Sequence, residues 1–410
     1  MTLTDERTDS PERLEQIGYL TLVACLAATT FTIFGANLVG IAGIIWLILA
    51  WRERRMPVPP FFWPLVALAA WTLVSCAFGV NPLESFKRSR QLLFILLVPG
   101  VTRLLRGDRA AVALNVIIAL GAASALVGIV QYAALGYDDM TNRPKGTLGH
   151  YMTYSGLLML VAVSAAARLV FYEKEWIWPA IAVPALLVAM LFTKSRNAWI
   201  GTAAGVAALM TVRNRKLLLV LPVLAVVAYF AAPAGVQQRM FSMFDRNDAT
   251  SRDRFSMIDS GINMIRDRPL FGVGLNNVPD VYPKYKTADA VDPAGSTGVV
   301  TRAHLHNVPL QLAAERGIPA ALIWLWFVLV AGRDLLRLVL RPGPARALAG
   351  AGLAALIGMV VAGMFEHNFG DSEFLMLFLG IITLPFAAVS AGPEGPAYVR
   401  RAEDVRRADL

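Results

Sequence analysis

The chain has 410 residues, of which 56% are hydrophobic and 16% are charged, with a formal net charge of +9. A soluble domain carries about 25% charged residues, so this composition excludes an ordinary water-soluble domain and indicates a polytopic membrane protein. Much of the positive charge lies in short segments between apolar stretches, where it orients a membrane protein, and this placement argues against nucleic-acid binding.

The apolar stretches predict an all-α membrane protein with about twelve spans, since each span needs roughly 17–25 apolar residues. Residues 1–16 are polar and mixed in charge, so we expect no cleavable signal peptide. Cys25 and Cys76 fall in apolar stretches and are interpreted as small buried hydrophobic residues, without a disulfide framework or metal site. The predicted spans are residues 17–34, 36–51, 61–79, 90–104, 111–135, 151–171, 177–193, 197–213, 216–232, 317–332, 346–365 and 372–391.

Basic residues between the spans predict the orientation. With a cytoplasmic N-terminus, every inner segment after the first span is basic, and the C-terminus is cytoplasmic as well. The residues assigned to the cytoplasmic side are Arg52, Arg54, Arg55, Arg103, Arg106, Arg109, Arg168, Lys174, Arg213, Arg215, Lys216, Arg333, Arg337, Arg341, Arg346, Arg400, Arg401, Arg406 and Arg407.

Cations also lie on the opposite side, directly against the predicted spans, where charge is costly and usually functional. Arginine suits phosphate because its planar guanidinium donates two hydrogen bonds at once. We therefore expect at least two of three basic turns to converge as a pyrophosphate clamp; the alternative is that these side chains reach toward lipid headgroups. The residues of the three turns are Lys87, Arg88, Arg90, Arg143, Lys145, Lys194 and Arg196.

The longest polar segment, residues 233–316, lies on the outer side between the ninth and tenth predicted spans. Loops of this length are usually functional. The helical spacing of Phe255, Ile258, Ile262 and Ile265 predicts a helix over residues 251–267, and a second short helix over residues 305–316 stops at Gly317. We expect one integral membrane domain, residues 1–410, into which this large loop is inserted.

All four histidines map to outer segments. Histidine titrates near neutral pH and suits a general base, so His304 and His306 are candidates; chance or ordinary interfacial hydrogen bonding is the alternative. Two histidines two residues apart do not share a helix face, and no Asp or Glu cluster accompanies them, so a metal site is not expected. Glu366, His367 and Asp371 crowd the turn before the last span, where they either cap a helix or form part of a polar site.

Short motifs in this loop and beside the spans carry a family resemblance. The Gly-x-Gly pair alone predicts only a tight turn after a helix. In this order, with about twelve spans and one large late loop, the motifs resemble those of the O-antigen ligase and polymerase superfamily of bacterial envelope glycosyltransferases, and best match the lipopolysaccharide O-antigen ligases. The motifs are Ser195-Arg196 at the head of a span, Arg254 ahead of Pro269-x-x-Gly272-x-Gly274, and His306-Asn307 followed by Glu315-x-Gly317.

The resemblance implies an inverting, GT-C-like transferase of the bacterial inner membrane with a periplasmic loop and active site. Such an enzyme moves O-antigen glycan from undecaprenyl pyrophosphate to lipid A–core, with membrane lipids as surroundings and without cofactor, required metal or nucleic acid. By motif position, His306 corresponds to the general base, and Arg196 and Arg254 to the essential arginines. The family often has an aromatic residue four positions after the loop arginine, where this chain has Ile258.

The remaining roles are assigned as hypotheses. The two phosphates are expected to contact arginines on three segments, and the residues around His306 supply alternative proton acceptors. The arginines of this hypothesis are Arg88, Arg90, Arg196 and Arg254, and the fallback residues are His304, Glu366 and His367.

Four other functions remain open from the sequence. An O-antigen polymerase would use the same clamp and base with a second lipid-linked glycan as acceptor, and a protein O-oligosaccharyltransferase is a more distant relative. A transporter of anionic lipid or solute should carry charges near mid-membrane and an inverted repeat, and neither is evident. A structural scaffold would not need so many charges at a costly position.

Overall fold

The computed structural model describes residues 9–32, 58–171, 177–243, 249–287 and 302–390, and within these ranges it contains helices and no strand. The predicted span 36–51 and the basic tail after residue 390 lie outside them. Three 3₁₀ segments, Ser89–Leu96, Arg215–Leu219 and Asn368–Gly370, accompany the α-helices. The α-helices are α1 (Asp9–Ala28), α2 (Phe62–Phe78), α3 (Pro82–Arg88), α4 (Leu97–Leu104), α5 (Asp108–Ala134), α6 (Tyr151–Val170), α7 (Ile177–Phe192), α8 (Arg196–Asn214), α9 (Val220–Ala231), α10 (Ala234–Phe241), α11 (Ala249–Asp267), α12 (Val278–Tyr285), α13 (Val308–Arg316), α14 (Ile318–Leu340), α15 (Arg346–Gly363) and α16 (Ser372–Val389).

The helices include membrane-spanning candidates. Within the described residues, five ranges are long and apolar enough to cross a membrane, and two further apolar helices, α2 and α7, are shorter. The protein is therefore a helical membrane protein, as the composition predicted, whereas the count of about twelve spans stays a prediction. The five ranges are Asp108–Ala134, Tyr151–Val170, Arg196–Ala231, Arg346–Gly363 and Ser372–Val389.

The range Arg196–Ala231 consists of two helices, α8 and α9, joined by a turn that reverses the direction of the chain. A straight helix of 36 residues would be about 54 Å long, yet Arg196 at its start lies 2.8 Å from the carbonyl oxygen of Ser242, beyond its end. The chain bends at Asn214, whose backbone is extended (φ −168°, ψ 116°) and whose side chain accepts a hydrogen bond from the Lys216 amide. This turn separates α8 from α9, as the predicted spans 197–213 and 216–232 require.

Helix α15 lies at the centre of the core, where it packs against α6, α8, α14 and α16. Small residues let the backbones approach: a Cβ on Gly201 of α8 would lie 2.8 Å from the carbonyl oxygen of Gly358 of α15, and Gly205 faces Ala354 in the same way. Membrane helices commonly associate through such small residues. Because these pairs run in opposite order, the helices are antiparallel, and the start of α8 lies beside the end of α15.

Three predicted spans differ from the structure. The range 317–332 is shorter than α14, which continues to Leu340 and so includes Arg333 and Arg337. The range 17–34 corresponds to α1, which begins earlier and ends at Ala28. The range 90–104 is not one helix but a 3₁₀ segment followed by α4, with Pro99 in the first turn of α4, where its missing N–H breaks no helical hydrogen bond. Cys25 and Cys76 are free thiols and fully buried, as expected.

The long loop folds around a small core of its own, built from Met257, Met264, Val273, Tyr282 and neighbouring apolar side chains. Helices α11 and α13 confirm the two predicted loop helices, and α10 and α12 were not predicted. The predicted apolar face of α11 is only in part the packed one. Phe255 and Ile262 are exposed, whereas Ile265 packs against the loop core beside the fully buried Met257 and Met264.

Candidate active site

The glycine motifs of the loop form a backbone junction. The amides of Val273 and Gly274 donate to the carbonyl oxygens of Ala314 and Glu315, each at 2.8 Å, and the Ile318 amide donates to the carbonyl oxygen of Pro269. Gly272 and Gly274 both have positive φ, and a Cβ on Gly274 would lie 2.8 Å from Gly79 Cα. The Pro-x-x-Gly-x-Gly segment is thus a tight turn after α11, as predicted, and it fixes the end of α13.

The start of α13 positions the candidate base. Asn307 caps the helix by accepting a hydrogen bond from the Leu310 amide at 2.9 Å, and its amide nitrogen donates to the carbonyl oxygen of Met364 at 3.1 Å. His306, just before this cap, has φ +49°, a conformation that costs a residue other than glycine about 1 kcal/mol or more. The Asn307 cap thus ties the loop to the end of α15. The ring of His306 points toward the turn between α15 and α16.

His306 pairs with a buried carboxylate in that turn. Its Nδ1 lies 2.8 Å from Oε2 of Glu366, whose side chain is almost fully buried. Burial alone would raise the pKa of Glu366, but the hydrogen bond from His306 and the charges of His306 and His304 lower it to about 2. Glu366 is therefore ionised at neutral pH, so Nδ1 of His306 must carry the donated proton. Nε2 is left as the proton acceptor, the arrangement required of a general base.

Two further histidines surround the pair. The ring of His304 lies 4.2 Å from that of His306, centre to centre, and its Nε2 is 3.6 Å from Glu366 Oε1. Burial lowers the pKa of His304 and lowers that of His367 well below its usual range. Burial thus favours the neutral form of both rings. Asp371 in the same turn caps α16 through the Phe374 amide, so this turn both caps a helix and contributes to a polar site.

The two motif arginines and His306 line one cavity of about 250 Å³, named here the arginine cavity. Its cationic side chains meet an apolar wall that is partly exposed at Met364 and Phe365. Ile258 lies in this wall. The lining residues are Arg196, Asn197, Ile200, Met243, Arg254, Phe255, Ile258, Leu305, His306, Asn307, Met364 and Phe365.

Arg196 is a buried cation at the N-terminus of a helix, where both burial and the helix dipole disfavour a positive charge. It begins α8, is 7% exposed, and donates from Nη1 to the carbonyl and hydroxyl oxygens of Ser242 at 2.8 and 3.2 Å. The N-terminus of a helix carries partial positive charge, so a buried arginine there adds to an already positive potential. Such a potential favours an anion in the adjoining space.

A second cavity, named here the polar cavity, lies on the other side of the His306–Glu366 pair. Its volume is about 290 Å³, and it holds Arg88 together with the other three histidines of the chain. Arg88 and Arg196 therefore line different cavities, which differs from the single clamp expected of them. The lining residues are Arg88, Gln91, His150, Met152, Thr153, Leu275, Asn276, Ala303, His304, Gln311, Glu315, Arg316, Glu366, His367, Asn368, Gly370 and Asp371.

The remaining predicted cations line neither cavity. Lys194 supports the turn before α8, because its Nζ donates to the Asp138 carbonyl oxygen. The Arg143 guanidinium lies 4.0 Å from the centre of the Tyr151 ring, and burial, with the nearby Arg196 charge, lowers its pKa. Arg143 thus contributes positive potential near the arginine cavity without bordering it. Three more predicted cations, Lys87, Arg90 and Lys145, are absent from the walls of both cavities.

His304, His306 and Glu366 bring one ligand atom each within 4.8 Å of one another. No cluster of Asp or Glu accompanies the two histidines in the sequence, but one carboxylate, Glu366, reaches them in space from a turn 60 residues further along the chain. Two imidazoles and a carboxylate are a donor set that Zn²⁺ accepts. An ion held by this group would compete with the proton that Nδ1 of His306 shares with Glu366.

Several lining residues have no signal in the sequence. Met364 and Phe365 line the arginine cavity without belonging to any motif, and Gln311, in the polar cavity, holds the loop by accepting from the Leu305 amide at 2.7 Å. Asn276 is the residue that a motif could have revealed, since it has φ +61° two residues after Gly274 and its backbone N–H donates to Oε1 of Glu315 at 2.8 Å.

Residues 180–325 match the model of the family described as O-antigen ligase. No curated protein is significantly similar to the chain. The matched range contains Arg196, Arg254 and His306, the three cationic or basic residues of the arginine cavity, whereas Arg88 and Glu366 lie outside it. The match confirms the resemblance that the short motifs indicated.

Proposed function

We propose, from the similarity of residues 180–325 to O-antigen ligases, that the protein moves O-antigen glycan from undecaprenyl pyrophosphate to the outer core sugar of lipid A–core. The family match supports a transferase of O-antigen processing. The observation that carries the specific proposal is the arginine cavity, where Arg196, Arg254 and His306 face one space beside an apolar wall.

The cavity suits the two parts of a polyprenyl pyrophosphate. Arg196 and Arg254 offer planar donors for phosphate oxygens, and the helix N-terminus at Arg196 adds to the positive potential. No carboxylate is among the described residues that line this cavity, so nothing there repels a dianion. The exposed apolar side chains Met364 and Phe365 give the isoprenoid tail a path to the lipid.

His306 supplies the base in this proposal. Its Nε2 removes the proton of an acceptor hydroxyl as that oxygen forms a bond to the anomeric carbon of the donor glycan. The bond between the anomeric carbon and the phosphate oxygen breaks, and its electron pair leaves on the pyrophosphate. Attack from the face opposite the leaving group inverts the anomeric configuration. Glu366 stabilises the imidazolium that forms, and the arginines stabilise the charge on the leaving group.

The test is transfer by purified protein. Undecaprenyl-pyrophosphate-linked glycan and lipid A–core are mixed with the protein in detergent and EDTA, beside His306→Ala and an Arg252→Ala control at an exposed residue that lines neither cavity. We expect wild-type transfer without added metal, loss in His306→Ala with donor binding retained, and activity in the control. Lengthening of the lipid-linked glycan without transfer to core would instead identify a polymerase, and loss of donor binding in His306→Ala would make His306 a binding residue.

A further inference from the structure

The polar cavity plays no part in donor phosphate binding as proposed above, yet it is the more elaborate of the two sites. Its walls come from the start of α6, the segment around Arg88, the junction at Asn276, α13 and the turn before α16. Three of its polar side chains, Gln311, Glu315 and Glu366, are at least 96% buried. Burying polar groups is costly, and each of these three is held by a partner within the fold, so the polar wall that they form is fixed in place.

The charges of the polar cavity differ from those of the arginine cavity. Arg88 and Arg316 are balanced by Glu315, Glu366 and Asp371. An anionic ligand would meet carboxylates on two sides, and a cationic one would meet guanidinium groups. A ligand without charge that can both donate and accept hydrogen bonds fits this mixture, because carboxylates accept and arginines and amides donate.

The polar cavity also contains buried groups whose hydrogen bonding is incomplete. Asn368 and Arg316 are 6% and 8% exposed, and Nδ2 of the first and Nε of the second have no hydrogen-bond partner among the described residues. The same holds for Nδ1 of His304 and of His367. Buried polar atoms without partners are rare in folded proteins, and their concentration around this cavity marks its surroundings as unusually polar.

The polar cavity directly adjoins the proposed reaction centre. Glu366 belongs to its wall, and the residue it orients, His306, belongs to the wall of the arginine cavity. We propose that the polar cavity binds an uncharged sugar residue of one of the two substrates, next to the bond that is exchanged. This inference rests on the proposed transferase function and deepens it, since it assigns a second binding site for glycan rather than for phosphate.

Two variants test the inference without touching the base or the donor arginines. Arg88 is exposed, and Gln91 makes only a weak hydrogen bond to Ser372 at 3.5 Å, so Arg88→Gln and Gln91→Leu should leave the fold intact. Arg90→Gln is the matched control, because Arg90 is an exposed neighbour that lines neither cavity.

Binding is measured by saturation-transfer NMR on the full chain in detergent, with lipid-free core oligosaccharide and lipid-free O-antigen glycan as separate probes. Wild-type protein should bind at least one probe, and each cavity variant should weaken that binding about tenfold, as expected for losing one hydrogen bond to a charged or amide group. Binding of the core oligosaccharide would identify the sugar as the acceptor's, and binding of the glycan as the donor's. The Arg90 control should match wild type.

Glycan-free undecaprenyl pyrophosphate is the third probe. The inference predicts that Arg88→Gln and Gln91→Leu bind it as wild type does, whereas Arg196→Gln does not. Weakened lipid binding in Arg88→Gln would make the polar cavity a phosphate site and overturn the inference, as would unchanged saccharide binding in both cavity variants. Saccharide binding that depends on Arg88, in a protein that transfers nothing, would retain the cavity assignment while refuting the proposed function.

Discussion

Glu366→Gln is the substitution that most specifically examines the proposed base. The carboxylate is 4% exposed, accepts a hydrogen bond from His306 Nδ1 at 2.8 Å, and has its pKa lowered to about 2 by this partner and its neighbours. Glutamine keeps the size and a hydrogen-bonding group but removes the charge. The imidazolium formed at His306 then has no buried anion beside it, and Nδ1 is no longer required to carry the donated proton.

The structure sets the size of the expected loss. A hydrogen bond to a charged group is worth about 1.5–3 kcal/mol, and this bond is strongest when His306 is protonated in the transition state. Glu366→Gln should therefore reduce kcat about 10- to 100-fold. The affinity for undecaprenyl pyrophosphate should change little, because Glu366 does not line the arginine cavity.

The assay is transfer at saturating donor and acceptor, with donor binding measured separately on the same preparation. Glu84→Gln, a carboxylate near the start of α3 that lines neither cavity, is the control for loss of negative charge. A kcat within threefold of wild type in a folded Glu366→Gln protein would refute the role of the pair. A loss of donor binding equal to the loss of turnover would show that Glu366 serves the architecture of the cavity instead.

Further predictions concern the donor site, pH and the loop junction. Arg196→Gln should weaken undecaprenyl pyrophosphate binding at least tenfold in a lipid titration. Arg252→Gln, at an exposed residue of α11, should bind the lipid as wild type does. The folded-state pKa of Glu366, about 2, lies below its ordinary value of 4.5. The ionised carboxylate therefore stabilises the folded protein fully above pH 4.5, and this contribution is lost as the pH falls toward 2. Thermal melts should show the decline in wild type and a smaller one in Glu366→Gln, and equal declines would contradict the prediction. In a urea titration, Gly317→Ala should lower the free energy of unfolding by about 3 kcal/mol or more, since Gly317 has φ +81° and an added Cβ would collide with a backbone carbonyl. Gly100→Ala is the control in the same titration and should be neutral or stabilising, because there is open space around Gly100.

Hydropathy and short motifs predicted the parts of this molecule that depend on local sequence. Helices α5 and α6 follow long apolar stretches closely, and the turn between α8 and α9 was marked by the basic residues around Asn214. His306, Arg196 and Arg254 were found because their motifs have a characteristic order. Their convergence on one cavity agrees with that reading, although their roles in catalysis stay predictions.

The contacts that the sequence did not reveal are long-range. Glu366 meets His306 across 60 residues, and no periodicity connects a turn before α16 with a loop before α13. Arg88 looked equivalent to Arg196 because both are basic residues beside a span, but helix packing places them in different cavities. Both faces of α11 carry apolar residues, and only the position of the loop core decides that Met257 and Met264 are the buried ones.

The central claim is that the arginine cavity holds the lipid pyrophosphate with His306 beside the bond that breaks. Electron cryomicroscopy of the full chain with undecaprenyl-pyrophosphate-linked glycan tests it directly, using His306→Ala to prevent turnover. The account predicts phosphate density between Arg196 and Arg254, with the first sugar directed toward position 306. Phosphate density beside Arg88 in the polar cavity, with the arginine cavity unoccupied, would contradict it.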